Sequence, residues 1–213
     1  LPHENAYGGG SYFTEEVEKP EALKTIPRIY KRYGLPRELF IDLLNRESPP
    51  DIILITSGMT YWYPGVFEAI SLLRERFGSV PIILGGIYAK LCLGHAKRFS
   101  GADRVYPGND LSEIGKIIGD LTGKKIEEIA IPQNEFISPA YELYPNLKYV
   151  TLRTSSGCPF KCTYCAWYIL EPEFVQYPPE VIINQIEYFY SQRGIRNFAF
   201  YDEALLCNAE NHL

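Results

Sequence analysis

The sequence lacks the features of several common classes of protein. No apolar run in its 213 residues is long enough to cross a membrane, which argues against a membrane-spanning protein. The 21 lysines and arginines are scattered and are outnumbered by 26 aspartates and glutamates, so the basic surface of a nucleic-acid-binding protein is missing. There is no internal repeat and no low-complexity tract. We therefore expect neither a membrane nor a nucleic acid as a partner.

Cysteine is also scarce, and no signal-peptide pattern is present. Five cysteines in a chain of this length favour free thiols in a reducing compartment over a disulfide framework. Hydrophobic residues make up 46% of the chain, which is enough to bury a sizeable core. These observations predict a globular cytoplasmic protein.

Three of the five cysteines stand close together, in the segment Cys158-Pro-Phe-Lys-Cys162-Thr-Tyr-Cys165. A closed zinc or iron–sulfur site usually takes four protein ligands. Three thiolates in one short loop therefore predict a four-iron cluster with one iron left open for a small molecule. The alternative is a structural zinc or a closed cluster, with Cys207 or Cys92 as the fourth ligand; otherwise these two cysteines are expected to be buried free thiols.

The segments around the cysteines predict a βαβ unit. An alternating apolar run at residues 149–153 is typical of a strand, and residues 155–157 are typical of a loop. After the cysteines, a helical pattern follows Pro178 and Pro179, and residues 197–201 predict a second strand. In such a unit functional groups gather at the carboxyl ends of the parallel strands. The cysteines should therefore share one edge with Asp202 and Glu203.

This motif resembles that of the radical S-adenosylmethionine superfamily, which has an aromatic residue just before the last cysteine, here Tyr164. The resemblance implies that Cys158, Cys162 and Cys165 bind a [4Fe-4S] cluster and that S-adenosylmethionine chelates the fourth iron. It also implies that Tyr164 contacts the adenine side of that cofactor. Reductive cleavage would release methionine and a 5′-deoxyadenosyl radical, which takes a hydrogen from a small-molecule substrate. An electron donor such as a flavodoxin or ferredoxin would reduce the cluster.

Two acidic residues, Asp202 and Glu203, stand where many members of this superfamily have a Gly-Gly-Glu-like stretch that binds the amino group of S-adenosylmethionine. The glycines are absent here. By resemblance the two carboxylates contact the cofactor. The alternative is that they are simply the solvated end of a strand, because exposed carboxylates are common.

The first half of the chain alternates strand and helix patterns. Predicted strands lie at residues 51–56, 80–84 and 103–106, and predicted helices at residues 66–77 and 111–121. The first of these strands should be buried on both faces. Asp110 and Glu113 give the second helix a start like a capping box. This order predicts an α/β fold with a Rossmann-like, doubly wound parallel sheet and a ligand crevice at the strand carboxyl ends.

The first half resembles the cobalamin-binding domain found in one branch of the radical S-adenosylmethionine superfamily. The residues that would lie near cobalamin follow the three strands, and they are Ser57, Thr60, Gly85, Gly86 and Gly108. Glycine permits a close backbone approach to a ligand, but it is also an ordinary turn residue, so a degenerate and empty domain is the alternative. The Asp-x-His-x-x-Gly motif is absent, so a bound cobalamin would lack that histidine on its cobalt.

The two resemblances imply a cobalamin-binding-like domain at residues 1–121 and the start of a radical domain at 149–213, and the composition predicts a linker at 122–148. The radical domain resembles a (β/α)6 barrel, of which only the first βα units would be present, so the chain is expected to be truncated. Residues 1–12 are expected to form a loop. The predicted reaction after radical formation is a cobalamin-dependent methyl transfer or a rearrangement.

Overall fold

The structure, a computed structural model, describes residues 3–5, 7, 9–126, 139–144 and 146–207, which form a mixed α/β fold. The strands are β1 (His3–Glu4), β2 (Gly10–Ser11), β3 (Thr14–Glu16), β4 (Lys31–Tyr33), β5 (Ile53–Ser57), β6 (Ile82–Gly85), β7 (Arg104–Val105), β8 (Val150–Leu152), β9 (Ser155–Ser156), β10 (Val175–Gln176) and β11 (Phe198–Phe200). The α-helices are α1 (Arg37–Arg46), α2 (Tyr63–Phe77), α3 (Gly86–Leu91), α4 (Leu93–Phe99), α5 (Leu111–Thr122), α6 (Trp167–Leu170) and α7 (Pro179–Gln192). No helix within the described ranges has the length and apolar character needed to cross a membrane.

The chain divides into two compact units. Among the described residues, unit 1 contains 12–126, and unit 2 contains the short N-terminal pieces up to residue 11 together with 139–144 and 146–207. About half of the predicted linker, residues 127–138 and residue 145, lies outside the described residues. The proposed domain limits therefore stay a prediction. The N-terminal residues were expected to form a loop, but β1 and β2 pair there as a short antiparallel hairpin.

Unit 1 is built on a parallel sheet in the order β5-β6-β7. The predicted strands and helices are present, and α3 and α4 add two helices between β6 and β7 that the sequence patterns did not indicate. The strands lie in chain order, with β5 at one edge of the described sheet. A doubly wound sheet needs a reversal of this order. That arrangement therefore stays a prediction.

The burial of β5 differs from the expectation. Ile53 and Ile55 pack against the core of unit 1, whereas Leu54 is 59% exposed and Thr56 is also exposed. The prediction that this strand is buried on both faces is therefore wrong. The physical reason is that no described element covers the second face of β5, so its apolar run alternates between core and solvent.

The core of unit 1 forms between β6 and the helices that pack on it. Ile82 and Leu84 of β6 are fully buried and contact Val66, Ile70 and Leu73 of α2. These three residues of α2 recur at helical spacing, as the sequence predicted. Pro64 occupies the first turn of α2, where its missing N–H costs nothing.

The N-terminus of α5 is capped as predicted, although only half of the capping box forms. The Asp110 carboxylate accepts hydrogen bonds from the N–H groups of Ser112 at 2.7 Å and Glu113 at 3.3 Å. The Glu113 carboxylate turns instead to Tyr106, whose hydroxyl donates to it at 3.0 Å. The cap satisfies backbone donors that the first helical turn leaves free.

Unit 2 contains the predicted βαβ unit. β8 and β11 pair in parallel, with Val150 opposite Phe198 and Leu152 opposite Phe200. Helix α7 connects them and buries Ile182 and Phe189 against Val150 and Leu152, which are fully buried. The parallel pairing places the carboxyl ends of both strands at the same edge, and the cysteine loop follows β8 there.

Arg74 and Asp103 fasten the outer parts of unit 1 together. The Arg74 guanidinium donates to the Val80 carbonyl at 2.8 Å and pairs with the Asp103 carboxylate, which also accepts from the Ile82 N–H at 2.6 Å. Burial alone would raise the pKa of Asp103, but the hydrogen bonds from Arg74 and Ile82 outweigh it and hold the pKa below the ordinary 3.8. The pair thus joins α2, β6 and the start of β7.

We expect Asp103→Asn to lower the free energy of unfolding near pH 7 by about 1 kcal/mol, since the pair is partly exposed and screened. A carboxyl group whose folded pKa is lowered stabilises above its unfolded pKa, here 3.8, and loses that contribution as pH falls through the folded value. Denaturant titrations at several pH values should therefore show the difference from wild type shrinking below that pH. The exposed Asp42 provides a control, Asp42→Asn. If the difference in unfolding free energy between wild type and Asp103→Asn did not change with pH, the ion pair would be contradicted.

Candidate functional site

The cysteine loop follows β8 at the carboxyl edge of unit 2. Cys158 is half-buried, whereas Cys162 and Cys165 are exposed, and all three are free thiols. The Cys165 N–H donates to the Cys162 carbonyl at 3.0 Å, which closes a turn between the second and third cysteines. The Trp167 N–H donates to the Cys165 sulfur at 3.4 Å. The loop thus places its last two thiols in a turn that faces solvent.

Tyr164 lies in the same turn and is 91% exposed. The electrostatic interaction with Cys162, followed by a hydrogen bond to that residue, raises the pKa of Tyr164 above its ordinary 10.0. The phenol therefore stays protonated at neutral pH. Its ring is free to contact a ligand beside the cysteines.

Asp202, at the end of β11, holds the start of the loop. Its Oδ1 atom accepts four hydrogen bonds of 2.7–2.9 Å, from the backbone N–H and the hydroxyl of both Thr154 and Ser155. Ser155 is buried. Hydrogen bonds to a charged acceptor are stronger than neutral ones, so one carboxylate oxygen fixes two consecutive residues. Asp202 is therefore not a freely solvated strand end.

Glu171, just after α6, holds the next two residues of the loop. Its Oε2 atom accepts from the Ser156 hydroxyl at 2.8 Å and from the Gly157 N–H at 2.9 Å. It also pairs with Arg153, whose Nη2 donates to the same oxygen at 2.9 Å. Gly157 directly precedes Cys158, so this carboxylate fixes the backbone one residue before the first candidate ligand.

The charges of this pair are mutually stabilised. Burial alone would raise the pKa of Glu171, but the hydrogen bond from Arg153, followed by those from Gly157 and Ser156, lowers it below its ordinary value. Burial would likewise lower the pKa of Arg153, and the hydrogen bond to Glu171 raises it instead. Glu171 is therefore ionised at neutral pH and accepts all three bonds as a carboxylate.

Gly157 has a conformation that other residues rarely adopt. Its φ angle is +75°, and a Cβ atom built on it would lie 2.0 Å from the Glu173 carbonyl oxygen. The segment that contains Glu173 leads into β10, which pairs with β9 at the start of the loop. Only glycine fits at this crossing, so the direction in which Cys158 leaves the sheet is set by the backbone.

Three polar atoms around this network are buried without a hydrogen-bond partner. They are Asp202 Oδ2, Arg153 Nε and Trp167 Nε1. Buried polar groups are normally paired, so this part of unit 2 has unused donors and an unused acceptor. The unit thus has hydrogen-bonding capacity left next to the cysteine loop.

The donor set fits an iron–sulfur cluster with one open iron. Cys158, Cys162 and Cys165 supply three soft sulfur donors on one loop whose base is fixed. Within the described ranges, no three His, Cys, Asp or Glu side chains already surround one metal position. Binding would therefore gather the two exposed thiols of the turn toward the half-buried Cys158.

Glu203 follows Asp202 in the sequence but lies in a different environment. It is exposed, in a turn after β11. Parallel pairing of β8 and β11 brings both acidic residues to the edge that carries the cysteine loop. The geometry brings together Asp202 and the loop base, and it leaves Glu203 open to solvent. Contact of either residue with S-adenosylmethionine stays a prediction.

Two of the residues predicted near cobalamin meet at the carboxyl edge of unit 1. Ser57 and Gly86 form a parallel bridge, and the buried Ser57 hydroxyl donates to the Met59 carbonyl at 2.8 Å. Gly86 has φ +82°, and a Cβ atom on it would lie 2.4 Å from Thr56 Oγ1 and 2.7 Å from the Ser57 carbonyl. Close packing of the two strand ends therefore accounts for Gly86 without a ligand.

Gly108 is explained in a similar way by Tyr106. A Cβ atom on Gly108 would lie 2.5 Å from the Tyr106 hydroxyl, whose single proton is shared between the Asp110 carbonyl and the Glu113 carboxylate. Burial, followed by the hydrogen bond to Glu113, raises the pKa of Tyr106 to about 12. The tyrosine ring thus folds back over the chain, and only a residue without a side chain leaves room for it.

Gly85 and Thr60 are the two predicted residues that have no such explanation. A Cβ atom on Gly85 would make only ordinary contacts, with its nearest neighbour at 3.6 Å. Thr60 is half-buried and begins a 3₁₀ helix after β5. All five predicted residues lie at or just after the carboxyl ends of β5, β6 and β7. Their role in binding cobalamin stays a prediction.

Sequence patterns singled out Asp202 for another role and missed the other two residues that hold the cysteine loop. Glu171 and Arg153 belong to no local motif, and their pairing joins positions 18 residues apart. Gly157 was expected only as part of a loop. Its position directly before Cys158 was the one available signal, because glycine next to a ligand often marks a backbone position with positive φ.

The fit of Gly86 generates a test. We expect Gly86→Ala to lower the free energy of unfolding by about 2–4 kcal/mol without any ligand, because the new methyl group clashes with backbone in a positive-φ conformation. Gly65→Ala in α2 provides the control, since no atom lies within 4 Å of its Cβ position. That change should stabilise by roughly 0.5–1 kcal/mol. If Gly86→Ala and wild type had equal free energies of unfolding in denaturant titrations, packing would not explain Gly86.

Comparison with known proteins supports the fold. No protein-family model matches the sequence, and no curated protein matches it. The structure is similar to that of a radical S-adenosylmethionine methyltransferase, TsrM, from Kitasatospora setae, solved with tryptophan substrate and the analogue aza-SAM bound. The TM-score is 0.55 at 15% identity, over 78% of this chain and 39% of that one. This chain spans about two-fifths of the solved structure.

Proposed function

We propose that this chain is part of a radical S-adenosylmethionine enzyme. The observation that carries the proposal is the cysteine loop: three free thiols follow a parallel strand, on a base fixed by Asp202 and Glu171. The fold that the chain shares with a radical S-adenosylmethionine methyltransferase supports the same conclusion. Neither observation depends on the other.

In this proposal Cys158, Cys162 and Cys165 bind a [4Fe-4S] cluster. When bound, the cluster supplies one electron to the sulfonium of S-adenosylmethionine, whose cleavage gives methionine and a 5′-deoxyadenosyl radical. The chain's own residues bind and orient these groups. Tyr164 offers an exposed ring beside the second cysteine and contacts the adenine side of the cofactor, while its protonated hydroxyl stays a donor.

Asp202 and Glu203 have separate roles in the proposal. Asp202 Oδ1 is fully engaged with Thr154 and Ser155, so Asp202 acts on the cofactor chiefly through the loop that it fixes. Glu203 is exposed and has a carboxylate available to attract the amino group of S-adenosylmethionine. Of the two predicted contacts, we therefore favour Glu203 as the direct one.

Unit 1 has the proposed role of binding cobalamin. Its support is the position of Thr60 and Gly85 at the carboxyl ends of parallel strands, where open α/β sheets bind ligands. With cobalamin the enzyme would transfer a methyl group to a small-molecule substrate or rearrange it. A flavodoxin- or ferredoxin-type electron donor would reduce the cluster.

The alternative function is a metal-binding module without catalysis, in which a structural zinc or a closed cluster takes a fourth protein ligand. Cys207 is the cysteine of unit 2 outside the motif, and it is half-buried. A site closed by Cys207 would have no open coordination position for S-adenosylmethionine. The two functions therefore differ in ligand number, which can be measured.

We expect anaerobic reconstitution with iron and sulfide to load a four-iron cluster. Its electron paramagnetic resonance signal, after reduction, should shift when S-adenosylmethionine is added, because the cofactor occupies the open iron. Cys158→Ala should lose the cluster, whereas Cys207→Ala, the matched change outside the motif, should load as wild type does. Loss of metal in Cys207→Ala, with a signal insensitive to S-adenosylmethionine or with zinc bound in place of iron, would favour the closed module.

Cobalamin binding is tested separately on the protein without iron. Wild type should retain hydroxocobalamin through gel filtration, with a changed visible spectrum. Thr60→Arg should abolish retention because the long charged side chain enters the proposed crevice, while the exposed Lys97→Arg should have no effect. Equal absence of cobalamin from all three proteins would identify unit 1 as an empty domain.

A further inference from the structure

We propose that Asp202 and Glu171 are positioning residues that pre-form the cysteine loop, each fixing two consecutive residues at its base. The inference deepens the proposed function and rests on it, since it concerns how the chain presents its cluster ligands. It also reassigns Asp202, which the sequence predicted as a cofactor contact. Glu171 was not anticipated from the sequence at all.

The two carboxylates act on consecutive pairs of residues with no gap between them. Asp202 takes the N–H and hydroxyl groups of Thr154 and Ser155, and Glu171 takes the Ser156 hydroxyl and the Gly157 N–H. Every residue from the end of β8 to the first cysteine is therefore bound by a carboxylate. A strand can end without such a continuous set of charged hydrogen-bond acceptors, so the set points to a role in shaping the loop.

The anchors come from different parts of unit 2. Asp202 lies 48 residues from Thr154 in sequence and reaches it because β8 and β11 pair in parallel. Glu171 follows α6, after the last cysteine of the motif, so its bonds close the cysteine loop on itself. Asp202 therefore fixes the start of the loop to the sheet, and Glu171 fixes the end of the loop to its start.

This arrangement decides which cysteine is held in place. Gly157 is fixed by Glu171 and by its own crowded backbone, and Cys158 next to it is half-buried. Cys162 and Cys165 lie in the exposed turn between the two fixed ends. In this proposal Cys158 is already in position before the cluster binds. Cys162 and Cys165 move into position when the cluster binds. Residues that orient metal ligands typically change metal affinity by about 10–100-fold when they are lost.

The experiment measures the loop before and after cluster loading, in the full chain. In the protein without iron, the alkylation rate of each cysteine is followed by mass spectrometry at low iodoacetamide concentration. We expect Asp202→Asn and Glu171→Gln each to raise the rate at Cys158 by about tenfold, toward that of Cys162, because the loop base opens more often. Glu187→Gln makes the same change of charge on an exposed position of α7 and should leave all rates unchanged.

After reconstitution, both anchor variants should need about tenfold more iron for half-loading than wild type. Their reduced clusters should give a broadened resonance signal with a smaller shift on addition of S-adenosylmethionine. A purely structural role would lower the fraction of folded protein but leave the spectrum of the loaded fraction unchanged. Variants that match wild type in Cys158 protection and in cluster spectrum would overturn the inference.

The two proposals fail in different ways. If wild type protects Cys158 and the anchor variants lose that protection, but no protein loads a cluster, the loop is pre-formed for another metal and the radical function is wrong. If wild type loads and responds to S-adenosylmethionine while the variants behave identically, the radical function stands and the anchors are wrong. Should Asp202→Asn fail to fold, Thr154→Val combined with Ser155→Ala removes two of its four donors and keeps the charge. This pair should give an intermediate loss of protection, and full protection would count against the anchor.

Discussion

The parallel pairing of β8 with β11 is the constraint on which the candidate site depends. It brings Asp202 to the start of the cysteine loop, so that one carboxylate oxygen serves Thr154 and Ser155. Helix α7 makes that pairing favourable, because Ile182 and Phe189 bury the two fully enclosed residues of β8. Packing in unit 2 and the chemistry of the loop are therefore linked: loss of the βαβ core would also release the loop.

The two units use the carboxyl ends of parallel strands in different ways. In unit 2 the space after the strand is organised by charged side chains, with Asp202 and Glu171 binding backbone and hydroxyl donors. In unit 1 it is organised by backbone packing, because Gly86 lies against Ser57 and Gly108 lies under the Tyr106 ring. At Gly86 and Gly108 the closely approaching group is therefore protein, whereas Gly85 at the end of β6 makes only ordinary contacts.

This difference explains how far the sequence could be interpreted. Local patterns were enough for the cysteine spacing, the βαβ unit, the cap at Asp110 and the helical face of α2, because each depends on residues a few positions apart. They were not enough for Glu171, whose partners are distant, or for the exposure of Leu54, which depends on whether another element covers β5. They also missed α3 and α4, where short helices follow the glycine pair and give no sustained period.

Charge links the anchors to the proposed ligand. The loop base contains two carboxylates, Asp202 and Glu171, and one guanidinium, Arg153. Metal ligation requires that cysteines lose their protons. Three thiolates on one short loop would repel one another, and a cationic metal centre would balance them. The hydrogen bonds of Asp202 and Glu171 thus hold the base of the loop on which such a metal centre would bind.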